Sequence, residues 1–424
     1  MAVAERKWRV AVWIAIVVWI VCAVRLMIAD VWDETNGMLL FSSDAMTLGA
    51  KLQFVLTKSL GFWRPLPTVV VAIVLHVVRD FDVSWRILRA WNIAALVVAT
   101  IFFLRALRTT RDGDGGEDGV DDGDATPLVF TIAVLYSGSA IIAAGWYANI
   151  FDSTALLLIA IVLDQLLRGR DLAAGLILGI SFFCKETTAL ALPFLLVLFA
   201  ARRITFRQAL RTGVIASIFG AIYFALRAKI VPFGSEGDVH GFAMNQLAPT
   251  LINLADTFWR ETLKASGPGV LGFLFFAVAI LALRNVRIIT ASILFFLATS
   301  VIYWGMFSEY QNGVLIHHLN FAGRLYLVPA ALMLFLLALE RRTIAIAILL
   351  IPILFGGITT YRDHARFQRM YKRIYRTAAQ SPVKPLRVHY PAKPLEDTVR
   401  GVKIGDDPAA PVVVEAASGR LVYK

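Results

Sequence analysis

Apolar runs of close to twenty residues recur along this chain, and they restrict its folding more than any other feature. Read from the sequence, they cover 8–28, 86–107, 128–148, 153–167, 172–184, 187–201, 212–231, 268–284, 288–306, 323–339 and 343–360. A helix rises 1.5 Å per residue, so a run of about 20 residues matches a hydrocarbon core of about 30 Å. Inside lipid a chain has no water to satisfy its backbone, and a helix meets that need within its own segment. Composition agrees: of 424 residues, 58% are hydrophobic and 17% charged, against about 25% charged in a soluble domain. The reading is an all-α polytopic membrane protein with about eleven crossings. The first run is long, carries Trp13 and Trp19, and lacks a small-residue cleavage pattern after it, so it reads as a membrane helix and not a signal peptide.

Charge sets the expected orientation. The formal net charge is +12, and the basic residues stand between apolar runs, as the positive-inside rule produces. That accounts for them without nucleic acid. With the N-terminus inside, the inner segments hold Arg6, Lys7 and Arg9, then Arg105, Arg108 and Arg111, then Arg168 and Arg170. Arg202, Arg203, Arg207 and Arg211 follow, then Arg284 and Arg287, then Arg341 and Arg342. The run 66–78 is too short to cross and reads as a helix lying at or dipping into the surface. Counting it as a crossing would put several basic clusters outside. The expected arrangement is a membrane unit over 1–361, a first outer loop over 29–85, a flexible acidic cytoplasmic linker over 111–126, and a soluble tail over 362–424 outside. That tail opens with a basic aromatic helix on the lipid headgroups (Arg362 to Arg376) and continues in short β-like runs. A bacterial inner membrane is the expected location.

The loop from Asp30 to Pro67 is the first long polar stretch, and it holds Asp30, Asp33, Glu34 and Asp44. Outside the membrane such acids stay wet, and one of them is free to act as a base toward a hydroxyl. Collecting the ionisable residues expected at the outer face adds the acids Asp152 and Glu186 and the bases Arg25, Arg64, Lys185, Arg227, Lys229 and Arg324. Arg and Lys suit a phosphate, Arg through its two-pronged guanidinium. Acids and bases together beside a bilayer suggest a lipid-borne phosphate as a leaving group.

Several of these residues also have plainer readings. Arg25, Arg227 and Lys229 suit snorkelling anchors at helix ends. Asp152 suits a helix N-cap. Arg64, just before Pro65, suits a cap for the short helix. The stretch 172–201 is short for two crossings and must break near 181–188, leaving Lys185 and Glu186 at its outer end. There they either serve a site or partly neutralise each other. The Gly/Asp-rich run 111–125 misses calcium-loop spacing. The adjacent His317 and His318 point different ways and make a poor metal site. Cys22 and Cys184 indicate neither a disulfide framework nor a zinc site. The sequence requires no cofactor, and a divalent metal remains compatible with the acids.

Four motifs together resemble the GT-C superfamily of polytopic glycosyltransferases, in the branch of protein O-mannosyltransferases and aminoarabinose transferases. Phe41-Ser42-Ser43-Asp44 stands where that branch carries an outer acidic motif. Trp63-Arg64-Pro65-Leu66 resembles its Arg-Pro-Leu element. Cys184-Lys185-Glu186-Thr187 resembles its Lys-Glu-Thr motif, and Arg324-Leu325-Tyr326-Leu327-Val328-Pro329 its Arg-Tyr-Leu element. Asp152 matches a further outer acid. Ala45 and Gly323 depart from the pattern, standing where the branch has a second Asp and a Glu. The resemblance implies transfer of a monosaccharide from a polyprenyl-phosphate donor to a protein, lipid or glycan acceptor hydroxyl, with inversion. It implies Asp44 as base, Asp33 or Glu34 as the alternatives, and Arg64, Lys185 and Arg324 on the donor phosphate. A flippase for lipid-linked saccharides and a scaffold without activity are the rival readings.

Overall fold

The computed structural model describes residues 2–25, 47–57, 63–78, 81–113, 125–145, 150–230, 281–283, 285–307, 327–380, 412–415 and 420–423. Apart from one small hairpin these residues are helical. Helices α1 (Ala2–Arg25), α2 (Leu48–Thr57), α3 (Pro65–Val77) and α4 (Phe81–Gly113) lead into a bent pair, α5 (Thr126–Leu135) and α6 (Gly138–Gly145). Then come α7 (Ile150–Leu167), α8 (Asp171–Ser181), a 3-10 turn (Glu186–Leu190), α9 (Ala191–Ala200) and α10 (Phe206–Ile230). The last helices are α11 (Val286–Phe307), α12 (Leu327–Leu339) and α13 (Thr343–Gln380), followed by strands β1 (Val412–Glu415) and β2 (Arg420–Tyr423). The strands pair antiparallel, Val412 opposite Tyr423.

Among the described residues five helices are long and apolar enough to cross a membrane, or six when the pair α5–α6, bent by 53°, counts as one span. α3, α8, the 3-10 turn with α9, the first part of α11, and α12 are shorter apolar helices. The long helices carry apolar side chains on both faces. On α1, Val12, Ile16, Trp19 and Ala23 are buried while Trp13, Ile14, Val17 and Val21 are exposed. On α10, Leu210, Val214, Ile218 and Ile222 form an exposed stripe, and Thr212, Ala216, Gly220, Tyr223 and Arg227 turn inward. Apolar residues on the outer face as well suit helices that meet lipid where a soluble bundle would meet water. α12 is buried at all thirteen positions, as a helix apolar all round must be. Phe335 on α12 meets Phe103 of α4 at 5.3 Å and Phe130 of α5 at 6.4 Å between ring centroids.

Small residues set the closest helix approaches. A Cβ on Gly179 would come within 2.6 Å of Phe219, and one on Gly175 within 3.0 Å of Ile215. Glycines four apart on α8 therefore receive side chains four apart on α10, the small-xxx-small packing of membrane helices. Gly357 on α13 lies against the break between α5 and α6, where a Cβ would sit 2.0 Å from the Tyr136 carbonyl oxygen.

The basic turns gather at one end. Asp164 of α7 is fully buried and accepts from Arg105 of α4 through Nε and Nη2, both at 2.8 Å, and from Arg168 at 3.0 Å. Arg211 reaches Asp171 at 3.4 Å, and Arg203 reaches Glu340 at 3.6 Å. Three turns at this end share one backbone form. Gly169, Arg202 and Arg341 adopt φ of 77°, 56° and 53°. In each turn the following amide donates to a carbonyl five residues back: Arg170 to Gln165, Arg203 to Leu198, Arg342 to Leu337. This is the Schellman stop. Arginine holds two of the three left-handed positions where glycine is the ordinary choice.

One expectation changes here. The basic segment after Tyr361 does not start a separate element. It continues α13, which at 38 residues runs about 57 Å, nearly twice a hydrocarbon core. The run 66–78 does form a short helix, with Pro65 and Pro67 in its first turn where a missing N–H costs nothing. Its buried face, Val71, Ala72 and Leu75, packs with Val55 of α2, Leu88 of α4 and Ile150 of α7.

Candidate functional site

The stretch 172–201 breaks where expected, and the break carries a cluster of buried charges. α8 covers only about 17 Å and α9 with its 3-10 turn about 25 Å, both short of a core of about 30 Å. Residues 182–190 between them are buried or nearly so. Non-helical backbone at membrane depth is tolerated where protein covers it. The amides find partners locally: Phe183 donates to Ile180 O, Cys184 and Lys185 to Ser181 O, and Thr188 to Lys185 O. The start of α3 is pinned to the same place, because the Leu66 amide donates to Phe183 O at 3.3 Å.

Arg64 and Glu186 meet there. Arg64 Nε and Nη2 both donate to Glu186 Oε2, at 3.0 and 2.9 Å, and both residues are buried. Arg64 stands at the N-cap position of α3 without capping it through its side chain. Its guanidinium also lies 5.5 Å from the centre of the Phe151 ring. The other oxygen, Glu186 Oε1, lies 2.8 Å from Tyr223 Oη, which is also 2.9 Å from the Trp63 carbonyl. The Tyr223 ring stacks on Trp63 at 5.6 Å with 19° between planes, and Phe183 packs edge-on to both.

Lys185 turns the other way and pairs with Asp152 of α7. The neighbours Lys185 and Glu186 thus take separate partners, 33 and 122 positions away. Adjacent residues point in different directions, so the expected mutual neutralisation is replaced by two cross-chain pairs. Asp152 lies in the first turn of α7 but is 3% exposed, an ion-paired core residue and not a wet cap. Asp152 stands 12 residues before Asp164, about 18 Å along α7, so the cluster lies buried toward the end of the bundle opposite the basic turns.

Arg227 is 1% exposed, one turn beyond Tyr223 on the same face of α10 and within electrostatic reach of its hydroxyl. Its reading as a snorkelling anchor does not hold, while Arg25 and Lys229 are exposed as anchors are. Arg64, Lys185, Arg227, Asp152 and Glu186 are thus all buried. Tyr223 and the Trp63 backbone were not singled out from sequence. A lone Tyr among the apolar residues of α10 was the only available signal, and its distance of 160 positions from Trp63 hid the contact.

Of the expected site residues, Arg64, Lys185, Asp152 and Glu186 therefore come together. Asp33, Glu34, Asp44 and Arg324 lie outside the described residues, as do His317 and His318. Cys22 and Cys184 are free thiols. Among the described residues no three His, Cys, Asp or Glu are grouped to hold a metal. Comparison with family models, with curated proteins and with solved structures finds no match for the chain.

Proposed function

We propose that this protein is an integral-membrane glycosyltransferase that takes a monosaccharide from a polyprenyl-phosphate donor. The observation that carries the reading is the buried cluster of Arg64, Glu186, Tyr223, Lys185 and Asp152, drawn from four separate segments to one break inside an apolar bundle. Ionisable groups at such depth are costly and rarely serve packing alone. Arg64 and Lys185 already hold carboxylates, so a donor phosphate would share them with Glu186 and Asp152.

In this reading the acceptor oxygen bonds to the anomeric carbon from the face opposite the phosphate. The bond from that carbon to the phosphate oxygen breaks, and polyprenyl phosphate departs. Asp44 takes the acceptor proton, with Asp33 and Glu34 as alternatives, and Arg324 joins Arg64 and Lys185 on the growing phosphate charge. The chain crosses eleven times when the short apolar helices other than α3 are counted and 268–284 is included. Its N-terminus is inside a bacterial inner membrane, the chemistry outside, and the tail outside. The acceptor is a protein, lipid or glycan, and no nucleic acid takes part.

Purified protein in liposomes is supplied with polyprenyl phosphate carrying a labelled sugar. Label is expected to move to an acceptor, and Lys185→Met is expected to lower the rate by at least tenfold. Label that crosses the bilayer still attached to its lipid would sink this reading and favour the second one, a saccharide-lipid flippase. The bent pair α5–α6 is the observation on that side, since broken helices mark transporter sites.

A further inference from the structure

The chain neighbours of Arg64 and Glu186 each carry a buried polar atom with no hydrogen-bond partner: the Trp63 indole Nε1 and the Thr187 hydroxyl. Trp63 is 5% exposed and Thr187 1%. Leaving such a group unpaired is costly, and native proteins carry few of them. Glu186 accepts at both oxygens, and Tyr223 engages both Glu186 and the Trp63 carbonyl.

The chemistry of the two atoms narrows what would complete them. An indole N–H only donates, whereas a threonine hydroxyl donates or accepts. A neutral hydroxyl group suits both, accepting from Trp63 and exchanging a bond with Thr187. A phosphate oxygen is better served by the cations next door. We infer that Trp63 Nε1 and Thr187 Oγ1 each contact a hydroxyl of the transferred sugar, alongside the cations that receive its phosphate. This inference rests on the glycosyltransferase reading and deepens it: the pair reads the sugar, and Arg64 and Lys185 read the phosphate.

The test compares two kinds of short-chain probe in nanodiscs by calorimetry. One is decyl phosphate. The other is a set of decyl phosphate esters of glucose, mannose, galactose and arabinose, of which the best bound is used. Trp63→Phe keeps an aromatic ring against Tyr223 and removes the N–H, and Thr187→Val keeps the shape and removes the hydroxyl. Each variant is expected to bind decyl phosphate as the wild type does and the sugar ester about three- to tenfold more weakly, the worth of one neutral hydrogen bond. Equal loss for both probes would make the residues structural, and no loss would mean that the sugar does not touch them. Either result overturns the inference and leaves the proposed function standing. A wild type that binds decyl phosphate as well as or better than every sugar ester also overturns it. A wild type that binds neither kind of probe overturns both.

Discussion

Arg64 and Glu186 are each worth little alone and much together. Desolvating two charges costs several kcal/mol, and their attraction roughly repays it, so a buried pair adds little net stability. Removing one partner leaves a bare buried charge and costs about 3–5 kcal/mol. Glu186→Leu and Arg64→Met should each destabilise the folded protein by about that much. The double variant Arg64→Met with Glu186→Leu should lose less than the sum by at least about 2 kcal/mol. Unfolding in mixed micelles measures this, and simple additivity would show that the two charges do not depend on each other. Asp164 differs. Its partners Arg105 and Arg168 have side chains 44% and 31% exposed, so solvent still serves them when the carboxylate is gone. Pairs of this kind are screened and worth less. At this scale sequence named four residues that do meet, Arg64, Lys185, Asp152 and Glu186, but not their partners. Nothing local tells Lys185 to choose Asp152 over the carboxylate next to it.

Helices obey rules that sequence states more openly. The interruption near Lys185 was legible because the apolar stretch around it is too short for two crossings. The three Schellman stops fall in the basic turns, where the chain has to reverse. What sequence left hidden was where helices come closest, since a glycine in an apolar run looks alike whether it faces lipid or another helix. The glycines of α8 and α10 separate the two cases. Gly179→Ala should destabilise the bundle by about 1–3 kcal/mol, because overpacking there meets Phe219. Gly213→Ala meets nothing closer than 3.9 Å and should be neutral, or stabilising by up to about 1 kcal/mol from helix propensity. Comparing the unfolding midpoints of the two variants in micelles tests the packing. Equal effects would mean that α8 and α10 are further apart than they stand here. The continuation of α13 through Tyr361 was missed for a related reason: a change from apolar to basic side chains alters what surrounds a helix without ending it.

For the whole molecule, the basic turns at one end and the buried cluster toward the other give the bundle a polarity. Arg170 follows α7 at the basic end, and Lys229 lies near the end of α10 beyond the cluster; both are exposed. With Cys22 and Cys184 replaced by Ala, cysteines placed at 170 and 229 should react with an impermeant maleimide from opposite sides of a sealed vesicle. Labelling of both from one side would contradict the orientation proposed above. Sequence by itself determined that this chain is a set of apolar helices with basic turns. A backbone in lipid must satisfy its own hydrogen bonds, and length and hydropathy express that constraint residue by residue. Only the tertiary structure decided that Glu186 faces Arg64 and Tyr223, that Arg227 points inward, and that Trp63 and Thr187 stand unsatisfied beside them. Those facts depend on which helix faces touch, and contact between segments more than a hundred residues apart leaves no periodic trace in either one.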